Sequence, residues 1–160
     1  MRIGCVYHSH TGNTESVLKT LQAKLPNHTV VLAQIKAQTT DPSVADVTLT
    51  EVPSLKGYDL IIFASPVHGF NLPHVTQAYL KQLSALPEVP LMILITHYFP
   101  FKFLGGHQGI KGFKKVLEPL GANIVLTQSI EWRSKHRTRE IARFIDAVKK
   151  RLMAETHDDY

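Results

Sequence analysis

Directly after the apolar run IGCVY the chain reads HSHTGNT, residues 8 to 14: two histidines, three hydroxyls, a glycine and an asparagine, with no carboxylate among them. If a strand ends here and a helix begins, the first amides of that helix lack partners and the positive end of its dipole faces the loop. Both suit an anion. Ser9, Thr11 and Thr14 add hydroxyls, His10 an imidazole and Asn13 an amide, while Gly12 lets the main chain approach a ligand closely. No Lys or Arg is present, so a phosphate would be held by directed neutral dipoles rather than by charge pairing. The same residues also suit a plain turn, with Asn13 or Thr14 capping the helix and Gly12 reversing the chain. On these residues alone both uses are open.

Two further stretches could share the work. In SPVHGFNLPH, residues 65–74, Gly69 accepts positive φ cheaply, and Pro66 and Pro73 fix the turn's entry and the start of the next helix. Phe70 either covers a planar ligand or fills the core. In THYFPFKFLGGHQGIKG, residues 96–112, Tyr98 is the best candidate to stack on a planar ring, its hydroxyl staying wet. The phenylalanines that follow it, Phe99, Phe101 and Phe103, read chiefly as anchors for a long loop. His8, His10, His68, His74, His97 and His107 are placed to gather near one rim. No His-x-x-x-His pair and no carboxylate accompanies them in these loops, so no metal site is expected. His68 and His97 are the candidates for a proton donor.

The elements that must position these loops follow from periodicity. Apolar, β-branched runs at 2–8, 28–35, 58–65, 89–96 and 123–130 predict five strands. Helical spacing predicts helices over about 14–25, with Val17, Leu18, Leu21 and Leu25 inward, over about 73–83, near 109–120, and at the C-terminus through Ile141, Phe144, Ile145, Val148 and Leu152. The polar stretch 36–55 predicts an irregular connection with room for a short helix. Alternation of this kind calls for one three-layer α/β/α domain over residues 1–160, built on a five-stranded parallel sheet with right-handed crossovers. In such sheets ligands bind beyond the carboxyl ends of the strands, where the three loops should meet.

Composition narrows the function classes. The 160 residues are 44% hydrophobic and 19% charged, as in an ordinary globular protein. Cys5 is the only cysteine, so no disulfide forms within the chain, and no apolar run nears the roughly 20 residues that span a bilayer. The N-terminus turns polar too soon for a secretory signal, and a cytoplasmic protein is expected. The net charge of +5 comes largely from RSKHRTREIARFIDAVKKR, where apolar residues recur at helical spacing. That pattern is the solvated face of a terminal helix rather than a nucleic-acid stripe.

The chain resembles the flavodoxin family. Ser9, His10, Thr11, Gly12, Asn13 and Thr14 match the family's phosphate-loop pattern Ser/Thr-any-Thr-Gly-any-Thr, and Pro66, Val67, His68 and Gly69 are similar to the Pro-Val-Tyr-Gly turn of flavodoxin-like redox proteins and flavin-dependent quinone reductases. The resemblance covers the whole chain and looks like the short-chain type. It implies strand order 2-1-3-4-5 and an FMN cofactor. Residues 9–14 would hold its phosphate. Ser65, Pro66, Val67, His68, Gly69 and Phe70, with Thr96, His97, Tyr98 and Phe99, would flank its ring, and Gly69 would lie where a peptide reorients on reduction. The carboxylate-free loops predict a couple less negative than that of an acidic flavodoxin. The function implied is electron transfer through bound flavin to a redox partner protein. Two alternatives accompany it: an enzyme that takes electrons from NAD(P)H to a quinone-type acceptor or resembles menaquinone-dependent protoporphyrinogen oxidase, and a binding module that kept the fold without flavin. A phospho-receiver domain shares the architecture but needs acidic residues after strand one, which this chain lacks.

Overall fold

A computed structural model describes residues 1–98 and 105–157. Phe99, Phe101, Lys102 and Phe103 of the third loop lie outside the described residues. Along the chain run β1 (Arg2–Tyr7), α1 (Asn13–Lys24), β2 (Thr29–Gln34), β3 (Lys36–Ala37), β4 (Leu49–Glu51), β5 (Leu60–Pro66), α2 (His74–Lys81), β6 (Pro90–His97), α3 (Gly106–Leu117), β7 (Asn123–Glu131) and α4 (Arg137–His157). Five strands form one sheet in the order β2-β1-β5-β6-β7, with every neighbouring pair parallel. That order is consistent with the predicted 2-1-3-4-5, because β3 and β4 pair only with each other.

Alternation along the strands separates two cores. Ile3 and Cys5 of β1, Leu60 and Ile62 of β5, and Met92 and Leu94 of β6 pack with Val17, Leu18 and Leu21 of α1 and Phe144 and Val148 of α4. The intervening residues, Val6, Ile61, Phe63, Ile93 and Ile95, pack with Val75 and Tyr79 of α2 and Phe113 and Leu117 of α3. Both faces of the sheet are therefore covered, which is why β5 and β6 are buried along nearly their whole length. Ile141 is only partly buried, at the margin of the first core.

Two expectations need correction. The connection 36–55 holds an antiparallel β3–β4 pair instead of a short helix. Its ends are tied by the Lys36–Glu51 ion pair at 3.4 Å, while Asp41 accepts from the Ser43 amide at 2.9 Å and turns the chain. Helix α3 starts at Gly106, earlier than the glycines suggest, and gives way at Leu117 to a 3-10 turn through Pro119. The reason is packing: a Cβ on Gly106 would lie 2.7 Å from the Ser129 side chain, and one on Gly109 2.9 Å from Ile95 and Val67. These glycines let the helix lie close on the sheet instead of ending it. Among the described residues, no helix is long and apolar enough to cross a membrane.

Candidate phosphate loop and adjoining cleft

Strand β1 ends at Tyr7, and His8 keeps one last sheet bond, its amide donating to Ala64 O at 3.1 Å. The chain then turns into α1 through Gly12, which stands at the helix N-cap with φ +88°. A Cβ here would meet nothing within 4 Å, so the need for glycine is conformational, not steric. Neither predicted capping residue caps. Asn13 Nδ2 donates to Tyr98 Oη at 3.1 Å, and Thr14 Oγ1 bonds Thr96 Oγ1 at 2.9 Å. The first helix amide with an acceptor is Ser16 N, on Gly12 O at 3.0 Å. Among the described residues, the amides of residues 9–15 donate to no protein acceptor, and Ser9 Oγ is buried without a partner. A buried hydroxyl left without a partner is costly, and unpartnered amides clustered beside it suit an acceptor-rich ligand.

The second loop is a tight turn closed by two bonds between His68 and Asn71, at 3.0 and 3.3 Å. Gly69 stands at its tip with φ +63°. Phe70 is half exposed, which excludes the core-filling role. Ser65 is fully buried, its Oγ bonded to Thr76 Oγ1 and Pro66 O at 2.8 Å each, so it braces α2 rather than facing the loops.

A cleft of about 120 Å³ joins the loops. His10, Thr11 and Asn13 line it from the first loop, Pro66, Val67 and His68 from the second, and Thr96, His97 and Tyr98 from the third. Ser9, Gly12, Thr14, Ser65, Gly69 and Phe70 do not line it, and Phe99 lies outside the described residues. One lining residue escaped the sequence reading: Trp132, at the end of β7. Its amide donates to His97 O at 2.7 Å, and the Arg137 guanidinium lies 4.4 Å from its ring centroid. The available signal was its place at the carboxyl end of a parallel strand. A larger cavity of about 500 Å³ between α2 and α3 meets the second loop only at Asn71 and Leu72 and does not reach the first loop.

The histidines divide. His107 is exposed on α3. His8, His10 and His68 gather, with the His68 ring edge-on to His8 at 6.4 Å and to His10 at 5.1 Å. Burial, reinforced by His68 and His10, pushes His8 down to about 4, and burial with His10 and His74 lowers His68. The loops are also not wholly free of acid. Asp41, from the β3–β4 connection, is close enough to feel the charge of His10, and Glu15 in the first turn of α1 accepts from Tyr7 Oη at 2.7 Å. Among the described residues, no group of three or more His, Cys, Asp or Glu could hold a metal ion.

No protein-family profile matches the chain, and no curated protein matches it. Its likeness is to solved folds. A flavodoxin from Fusobacterium nucleatum bound to flavin mononucleotide is 13% identical with a TM-score of 0.65, covering 94% of this chain and 98% of its own. The Streptococcus pneumoniae TIGR4 flavodoxin is 16% identical with a TM-score of 0.65, covering 93% and 99%. Oxidised flavodoxin 2 from Bacillus cereus is 20% identical with a TM-score of 0.63, covering 94% and 99%. The fold is flavodoxin-like.

Proposed function

We propose that residues 1–160 form one flavodoxin-like domain that binds FMN and works in the cytoplasm as an electron-transfer protein with a redox partner. The observation that carries this reading is the run of unpartnered amides at 9–15, together with Ser9 Oγ, at the N-terminus of α1. A phosphate monoester supplies acceptors for donors of that kind. When bound, FMN supplies the electron-transfer chemistry; the chain binds it, orients it and tunes its surroundings. Gly12, Thr11 and the loop amides seat the phosphate. Tyr98 and Trp132 offer aromatic faces on the cleft, and His68 and His97 are placed to hold or pass a proton.

The phosphate seat fits its group better than the cleft fits a ring. A volume of about 120 Å³ is below the roughly 300 Å³ at which ligand pockets begin, and the Asn13–Tyr98 bond joins the first and third loops beside it. Binding the flavin requires that bond to give way. This narrowness favours, as second reading, a module that seats some other phosphate without a ring. An NAD(P)H-to-quinone enzyme would need steady turnover by the flavin-loaded protein.

Mixing the protein with FMN, desalting and recording the visible spectrum separates the readings. Retained flavin bands with quenched fluorescence are expected. Complete loss of flavin would overturn the redox reading and leave the phosphate module. Gly12→Ala, strained at positive φ, is expected to weaken FMN by about tenfold.

A further inference from the structure

The loop assigned to phosphate carries no fixed positive charge, yet three imidazoles converge beside it. His10 belongs to the loop itself and lines the cleft with His68. His68 stands edge-on to both His10 and His8. Two of the nitrogens in this group, His8 Nε2 and His68 Nδ1, are buried without a hydrogen-bond partner. His8 itself is 1% exposed, closing the cluster from the sheet side. Among the described residues, His74 at the start of α2 adds to the charge felt by His68, Asp41 of the β3–β4 connection couples electrostatically to His10, and His97 lines the same cleft.

Such a cluster is balanced on the charge beside it. With no anion present, two imidazolium ions whose ring centroids stand 5.1 Å apart repel each other. That repulsion opposes charging both rings of the pair at once. A doubly charged oxyanion seated on the amides of residues 9–15 reverses the balance, because each added proton then meets an opposite charge. His8 has the sheet behind it and the least access to solvent, so it stays neutral and the protons go to the outer pair.

We propose that His10 and His68 form a proton-linked arm of the anion seat, so that binding a phosphate ester or another tetrahedral dianion draws protons onto this pair. The inference rests on the phosphate seat proposed above, and it names the regulation of that seat. Linkage makes the effect reciprocal: acid tightens the anion, and the anion raises proton affinity. A seat built from neutral dipoles alone would show neither effect.

Sulfate is the probe, because it stays fully ionised where phosphate esters titrate. Its affinity is measured calorimetrically at pH 8.0 and 6.0, in two buffers of different ionisation enthalpy. The affinity is expected to rise by about tenfold toward pH 6.0, with net proton uptake on binding. The double variant His10→Asn/His68→Asn is expected to lose both the rise and the uptake. If it does not fold, His10→Asn alone, at an exposed position, is expected to diminish both. His107→Asn, outside the cluster, keeps both. Equal sulfate affinity at the two pH values overturns the proton-linked arm while leaving the seat intact. A rise that survives in the folded double variant overturns the assignment to these two histidines. Absence of sulfate binding at either pH removes the seat and the inference together.

Discussion

At the amino end of the sheet, Arg2 N donates to Asp59 Oδ2 at 2.7 Å, and Asp59 N donates back to Arg2 O at 2.7 Å. The Arg2 guanidinium covers the Tyr58 ring at 5.1 Å from its centroid, and that ring closes over Gly4, where a Cβ would lie 2.5 Å away. At the carboxyl end, the amides of 9–15 have no protein acceptor among the described residues, and Ser9 Oγ, His8 Nε2 and His68 Nδ1 are buried unpaired. The difference follows from the topology. Each parallel strand delivers its chain at the carboxyl end to a helix N-terminus, so unpaired amides accumulate there and helix carbonyls at the other end. One end is closed by the protein's own groups, while the other keeps unpartnered donors.

The sharpest way to break this contrast is at Gly4. Gly4→Val drives a branched side chain into the Tyr58 ring, and a stability loss of about 3 kcal/mol is expected in urea unfolding. FMN affinity per folded molecule should hold within about twofold. Coupled loss of FMN binding would show that the two ends are not separate.

The next effect belongs to the carboxyl end and to pH. Unfolded, His8 takes up a proton near its ordinary 6.5; folded, it resists until about 4. The unfolded state therefore binds more protons in that window. Stability contributed by neutral His8 is full above pH 6.5 and is lost as pH falls toward 4. Between pH 6.5 and 5 the loss is about 2 kcal/mol. His8→Leu should flatten this fall without abolishing it, because His68 and His28 are lowered as well. An unchanged slope would remove His8 from the account. Added sulfate should reduce the wild-type fall, the stability counterpart of the proton-linked seat.

The smallest expected effect concerns the bond beside the cleft. Tyr98→Phe removes the acceptor that Asn13 uses but keeps an aromatic face. FMN affinity should rise by about threefold, with stability changed by less than about 1 kcal/mol, because Tyr98 is half exposed. A drop in affinity would mean that the hydroxyl serves the ligand rather than holding the loops together.

Much of the scaffold was present in local pattern. The apolar runs that became β1, β2, β5, β6 and β7 and the inward face of α1 follow from side-chain periodicity, which neighbours in sequence determine. The same holds for Gly12: a strand, a turn and a helix in succession require a residue that accepts positive φ, and the chain supplies one there. What the sequence by itself determined, then, is the set of elements and the gathering of donors after β1. What those donors do with one another was decided in three dimensions. Asn13 is 85 residues from Tyr98 and Thr14 82 from Thr96, and no local rule says that these side chains leave the helix amides uncapped to bond residues at and just past the end of β6. Ser65 looked like a loop residue until Thr76 claimed it, and Trp132 reaches the cleft only because β7 lies beside β6. Asp41, in the connection between β3 and β4, couples electrostatically to His10, which no spacing in the sequence indicates. Pattern within one element is set by neighbours a few residues away, whereas a contact between loops depends on sheet order and on which hydrogen bond is satisfied first.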